Sequence, residues 1–238
     1  MRVAALYDVH GNLPALEAVL AEVEGEAADL VVVGGDVVWG PMPSETLELL
    51  RGLGERVLFI RGNADREVAE GMSGPDFPDN VTAWCAGRLR ARELEFLGRL
   101  PHRAAVDVGG LGRVLFCHGS PRRDDEPITA TTTEARLERI LAGVEEDVVV
   151  FGHTHGQVDR VALGKRLVNP GSVGLPFGEP AAHWALLGPD VELRRTVYDR
   201  EAAAARFRGT GVPAPEWFVE QILSPPPADA SLRFEPSR

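Results

Sequence analysis

Five short polar segments carry most of the reactive side chains in this sequence: Asp8-Val9-His10, Gly35-Asp36, Gly62-Asn63-Ala64-Asp65, Cys117-His118-Gly119 and Gly152-His153-Thr154-His155. As candidate ligands they offer the carboxylates of Asp8 and Asp36, the amide of Asn63 and the imidazoles of His10, His118, His153 and His155. Carboxylate, amide oxygen and imidazole are hard or borderline donors suited to divalent ions. Enough of them are present to hold two such ions side by side, and a metal pair points to phosphoester hydrolysis. Asp8 and His10 are two residues apart, so both can turn toward one ion if their loop leaves extended geometry. The two glycines before Asp36 let the backbone pack close to the ions.

Each segment follows an apolar run that reads as a strand: residues 3–6, 30–33, 57–60, 114–117 and 148–151. Between them lie stretches of helical period, with Leu13, Leu16, Val19, Leu20 and Val23 on one face. Asn12 is placed to cap that helix, and Pro14 is tolerated in its first turn. Residues 43–53 predict a short helix, 81–100 a longer one and 134–142 another. Residues 71–80 are rich in Gly, Pro and Asp and read as a loop. Residues 104–108 and 114–117 form a hairpin pattern, and 120–133 is a long polar loop of the kind often used as a lid. After His155 the texture changes to short β segments at 157–163, 166–168, 183–187 and 191–198, which suggest an antiparallel portion. A short Ala-rich helix after Glu201 and a second piece at 216–223 close the pattern.

Strands alternating with helices predict parallel βαβ units in an α/β domain with mixed sheets. In such sheets ligands gather outside the carboxyl ends of the strands, where all five segments sit. One domain over residues 1–223 is expected. The Pro225-Pro226-Pro227 run predicts a disordered tail over 224–238.

Composition narrows the function classes. The chain has 238 residues and a net charge of −11. Such acidity weighs against nucleic acid as a partner, because non-specific binding relies on basic surface. It does not weigh against a small anionic substrate, because bound dications reverse the local potential. No apolar run approaches the roughly 20 residues that span a bilayer. With no signal-peptide pattern either, the expected location is cytoplasmic and no membrane partner is expected. Cys85 and Cys117 form neither a disulfide framework nor a thiolate metal site.

The ordered set Asp-x-His, Gly-Asp, Gly-Asn-x-Asp, His-Gly and Gly-His-Thr-His resembles the calcineurin-like metallophosphoesterase superfamily. Asn169-Pro170-Gly171-Ser172-Val173-Gly174 extends the likeness to its small bacterial and archaeal phosphodiesterase branch. The resemblance implies a four-layer α-β-β-α sandwich, with two mixed sheets flanked by helices. It implies one metal on Asp8, His10, Asp36 and His155, and a second on Asp36, Asn63, His118 and His153, with Asp36 bridging. The ions in the family are Mn, Fe, Zn, Ni or Co, and N/O ligation does not choose among them. The implied reaction is attack on phosphorus by a metal-bridging hydroxide, with Asp36, Asn63 and Asp65 as its catalytic residues.

One position departs from the family. Many members carry His in the third segment, where it assists the departing oxygen; here that residue is Ala64. A general acid contributes roughly 10²–10⁴-fold, so its absence favours good leaving groups. For substrate contacts the sequence offers Arg66, Arg122 and Arg123, whose forks suit phosphate oxygens, and Trp39, which could stack on a base or aryl group. The plain alternatives are solvated arginines and a packed aromatic. The expected function is a phosphodiesterase or phosphatase acting on a small phosphorylated molecule. A nucleoside polyphosphate hydrolase and a nuclease are the enzymatic alternatives. A non-catalytic metal-binding scaffold is the alternative of another class.

Overall fold

The structure is a computed structural model and describes residues 1–71 and 80–235. Most of the glycine-rich stretch expected as a loop, residues 72–79, lies outside the described residues, as do 236–238.

Two mixed five-stranded sheets pack face to face. The first has the order β10(Val191–Thr196)-β9(Ala182–Leu187)-β1(Val3–Leu6)-β2(Leu30–Val33)-β3(Val57–Phe59). Strands β1, β2 and β3 are parallel, while β9 runs antiparallel to both β1 and β10. The second has the order β4(Arg103–Val108)-β5(Gly112–Cys117)-β6(Val148–Val150)-β8(Lys165–Asn169)-β7(Val158–Ala162), parallel through β5, β6 and β8. The antiparallel portion expected after His155 therefore divides. Strands β7 and β8 complete the second sheet, while β9 and β10 return to the first.

The period-2 alternation of side chains builds the layers. Val3, Ala5 and Tyr7 join Val32, Val114, Phe116, Val148, Val150 and Val168 in the core between the sheets. Ala4 and Leu6 point the other way, into a cluster with Leu16 and Val19 of α1(Leu13–Gly25) and Leu47 of α2(Pro43–Arg51). On the far side Leu115, Cys117, Val149 and Phe151 pack with Leu137 and Ile140 of α6(Glu134–Ile140). This gives helices, sheet, sheet and helix, the expected sandwich.

The helix expected over 81–100 is two helices, α4(Val81–Arg88) and α5(Ala91–Gly98). Leu89 is extended, and the Arg90 N–H donates to Glu93 Oε2 at 2.8 Å, so Glu93 caps a new start. The short α3(Asn63–Glu70) follows β3 directly, and α7(Arg200–Thr210) and α8(Pro215–Leu223) cover the first sheet.

The tail differs from the expected disorder. Ala228–Phe234 form a 3-10 segment, and Glu235 is anchored far back in the chain. Its carboxylate accepts from Thr129 Oγ1 at 2.6 Å and from the Thr132 hydroxyl, and pairs with Arg136 Nη1 at 2.6 Å. The Gly178 N–H donates to Pro226 O at 2.7 Å. Local composition predicts a free tail; long-range polar contacts hold it down.

Candidate metal centre

All seven predicted ligands lie just past the carboxyl ends of β1, β2, β3, β5 and β6. Asp8, His10 and His155 form one group, and Asp36, His118 and His153 a second; within each, the ligand atoms lie within 4.8 Å of one another. Asn63 opens α3, and its buried Oδ1 has no hydrogen-bond partner. Of the nine non-glycine residues with positive φ among the described residues, five are Asp8, His10, Asp36, His153 and His155. Left-handed backbone costs an L-residue about 1–2 kcal/mol, and such strain collects where function demands a particular side-chain aim.

Backbone carbonyls set the imidazole tautomers. Nδ1 of His10 donates to Trp39 O at 3.0 Å, that of His155 to Leu175 O at 2.8 Å, and that of His118 to Gly34 O at 2.8 Å. A carbonyl only accepts, so each Nδ1 carries a proton and each Nε2 presents its lone pair to the site when the ring is neutral. The Nε2 atoms of His10 and His155 face each other at 3.1 Å. A positive charge, proton or metal, must stand between them. Burial and the His155 charge push His10 down to about 4. For His155 the lowering by burial is outweighed by the Asp8 carboxylate, so it is drawn upward.

The carboxylates complete the centre. Asp36 Oδ1 accepts the Ala64 N–H at 2.8 Å, and its Oδ2 lies 3.3 Å from His118 Nε2 and 3.8 Å from His10 Nε2, thus facing both groups. Asp8 Oδ2 accepts the His153 N–H at 3.1 Å, while its buried Oδ1 has no hydrogen-bond partner and lies 3.5 Å from His155 Nε2. Burial would raise both acids, but the surrounding imidazoles hold both below the usual carboxylate range. Conversely, Asp36 and Asp8 outweigh burial at His118 and raise it to about 10. His153 is pushed down to about 4 by burial and His118. Buried unpartnered atoms on Asp8, Asn63 and His118, with opposed imidazole lone pairs, fit divalent cations.

A model of the calcineurin-like phosphoesterase superfamily domain matches residues 1–190. The chain belongs to that superfamily. It is 28% identical to a phosphodiesterase of Escherichia coli, YfcE, over 80% of this chain and 89% of that one. It is 27% identical to an uncharacterised protein of Methanocaldococcus jannaschii over 93% and 97%. A metallophosphoesterase structure from Sphaerobacter thermophilus superposes with a TM-score of 0.75 at 28% identity, covering 94% and 99%. The family is metal-dependent, and the chain is a phosphoric ester hydrolase. Among the described residues no helix is long and apolar enough to cross a membrane.

Several residues expected to touch substrate in this phosphoesterase are engaged elsewhere. Arg66 makes a bidentate pair with Asp124, at 2.9 and 3.2 Å. Arg122 is bound to Glu126, and Arg123 to Asp125 at 2.9 and 2.8 Å. The run Arg122-Arg123-Asp124-Asp125-Glu126 carries this signal in the sequence: each arginine is followed closely by acids. The Trp39 ring is buried, its Nε1–H donates to Thr82 Oγ1 at 3.1 Å, and Trp217 and Phe218 pack on it. It meets the His10 ring edge-on at 5.6 Å.

Asp65, expected among the catalytic residues, is engaged with backbone. It is fully buried; Oδ1 accepts the N–H groups of Val37 and Val38 at 2.8 and 3.2 Å, and Oδ2 that of Gly62 at 3.2 Å. It ties the Asp36 loop to the Asn63 loop. Burial and the Asp36 charge raise it to about 7 despite these three donors. The glycine between the loops is constrained too: a Cβ on Gly62 would lie 2.1 Å from Asp36 Oδ1.

The Asn169–Gly174 stretch forms the floor of the centre. Asn169 Nδ2 donates to Gly152 O and Thr154 Oγ1, and the Ser172 hydroxyl donates to Asp8 O at 2.7 Å. Missing from the sequence expectation are Phe177, Trp217 and Phe234. With His155 they line a cavity of about 380 Å³ beside the centre. A separate hollow of about 580 Å³, between α2, α4 and α7, contains none of the seven ligands.

Proposed function

We propose that this phosphoesterase hydrolyses a small phosphodiester or phosphomonoester at a two-metal centre. Asp8, His10, Asp36 and His155 would hold one divalent ion, and Asp36, Asn63, His118 and His153 the other. The observation that carries this reading is Asp36 Oδ2, which faces an imidazole of each group while Oδ1 is held by the Ala64 N–H. When bound, such a pair supplies an activated water and neutralises charge on the phosphoryl oxygens. The chain's own part is preorganisation. Backbone carbonyls fix three imidazoles, Asp65 locks two loops, and Ser172 holds the Asp8 carbonyl.

A phosphoanhydride such as a nucleoside polyphosphate is the second reading, and Ala64 favours it. That residue is buried and has no proton to give, and Asp65 is turned into backbone. Good leaving groups tolerate the loss of a general acid. The test is a panel of aryl diesters, aryl monoesters, dinucleoside polyphosphates and single-stranded DNA, offered to protein loaded with manganese and then with the other candidate ions. Turnover of esters or anhydrides that falls by at least ~10³-fold in Asp36→Asn is expected, with bound metal dropping below two per chain. Full turnover in that variant refutes the bridging role. Two bound metals without turnover of any substrate returns the scaffold reading.

A further inference from the structure

The cavity beside the centre is built by parts of the chain distant in sequence. His155 forms one end; Phe177, Trp217, Gln221, Arg233 and Phe234 supply the walls and mouth. The Phe177 ring stands 5.3 Å from the His155 ring, and the Phe234 ring 5.6 Å from the His153 ring. One phenyl therefore rests on an imidazole of each ligand group. The two phenyls are 6.4 Å apart with 31° between their planes, and make a continuous aromatic wall. Phe234 is not held there by its own packing alone. The next residue, Glu235, is clamped by Thr129, Thr132 and Arg136, and a Cβ on Gly156 would lie 2.8 Å from Ser231 of the same segment. Arg233 is exposed at the mouth and, among the described residues, has no carboxylate within ion-pair distance.

A wall of this kind has a definite preference. Aromatic faces attract planar π-systems in stacked or edge-on geometry, by about 0.5–1.5 kcal/mol per pair beyond area burial. The volume lies in the range of small-ligand sites, about 300–1,000 Å³. The wall begins at imidazoles proposed to hold the metal ions, and those ions would meet the reacting phosphoryl group, so an ester substituent on that phosphorus lies within reach of the wall. We infer that this cavity is the specificity subsite for a planar aromatic substituent of the substrate, a nucleobase or an aryl ring, and that the ordered tail contributes half of it. The inference rests on the two-metal reading of the neighbouring centre.

Direct binding tests it without turnover. Manganese-loaded protein is titrated calorimetrically with methylphosphonate, phenylphosphonate and adenosine 5′-O-thiomonophosphate. At least one aromatic ligand should bind about tenfold or more tightly than methylphosphonate. In Phe177→Ala, and separately in Phe234→Ala, that ratio should fall to within about threefold of unity. Which aromatic ligand shows the preference distinguishes a nucleobase from a simple aryl group. Equal affinities in the wild type, or a ratio unmoved in both variants, overturns the subsite. If the aromatic ligand binds metal-free protein as tightly as manganese-loaded protein, the subsite stands and the two-metal reading falls. If no ligand binds, both fall. Phe234 lies in the tail segment, outside the buried core, so its variant keeps the test open should Phe177→Ala misfold.

Discussion

Replacing Asp65 by Asn separates a positioning carboxylate from a proton donor. In the wild type three backbone N–H groups converge on the buried side chain: Val37 and Val38 on Oδ1, Gly62 on Oδ2. The Asn carbonyl can keep the Val37 and Val38 donors, but its NH₂ then meets the Gly62 N–H, donor against donor. At pH 8, above the value near 7 to which burial and Asp36 raise this acid, one charge-assisted bond is lost, worth about 1.5–3 kcal/mol, and a buried N–H is left unpaired at about 1–3 kcal/mol. These overlap, so a destabilisation of about 2–4 kcal/mol is expected, small enough for most domains to stay folded. The disturbed loop carries Asn63 and the Ala64 N–H that holds Asp36. Manganese affinity should therefore fall together with stability, while the dependence of rate on leaving-group pKa keeps its slope. The assays are urea unfolding, metal content after dialysis, and kcat/KM over an aryl phosphate series. Unchanged stability and metal content with a steeper leaving-group slope would show that Asp65 delivers the proton, and would refute the positioning argument.

Two further outcomes follow from the packing. Gly62→Ala puts a methyl group 2.1 Å from Asp36 Oδ1 and 2.3 Å from the Asp36 backbone nitrogen. It should cost about 1–3 kcal/mol and strip metal from the centre, and a variant with wild-type metal content would show that the two loops can part freely. His183 on β9 is buried with neither ring nitrogen hydrogen-bonded, and burial together with Arg195 lowers it to about 4. Its folded pKa lies below the unfolded value of about 6.5, so its contribution is fully present above pH ~6.5 and is lost as pH falls toward ~4. The gap corresponds to about 3 kcal/mol at most. Between pH 7.5 and 4.5 metal-free His183→Leu should lose less stability than metal-free wild type; equal losses would remove His183 from the acid response.

The parts of this protein that could be read from sequence are those whose causes are local. A side chain that follows a buried strand within one to four residues must emerge at the strand's carboxyl end. Asp8, Asp36, Asn63, His118 and His153 could thus be located without knowing how the strands pair. What could not be read was set by partners far along the chain. Trp39 looks available for stacking until Thr82, Trp217 and Phe218 arrive from two later segments. The hydrogen bonds to Asp65 from Val37 and Val38, 28 and 27 residues away, are likewise invisible in the local sequence. The tail is the sharpest case. Three prolines and a polar composition predict disorder, and the anchor that overrides them, Glu235 on Thr129 and Arg136, spans 106 and 99 residues. The same anchor sets Phe234 beside His153, so a segment with no motif of its own shapes the approach to the ligands that the motifs identify. In this fold the strand ends specify the reaction. Under the two-metal reading, substrate choice is therefore expected to change between relatives through residues such as Phe177 and Phe234 while the seven proposed ligands stay fixed, because the wall residues lie outside the five ligand-bearing segments.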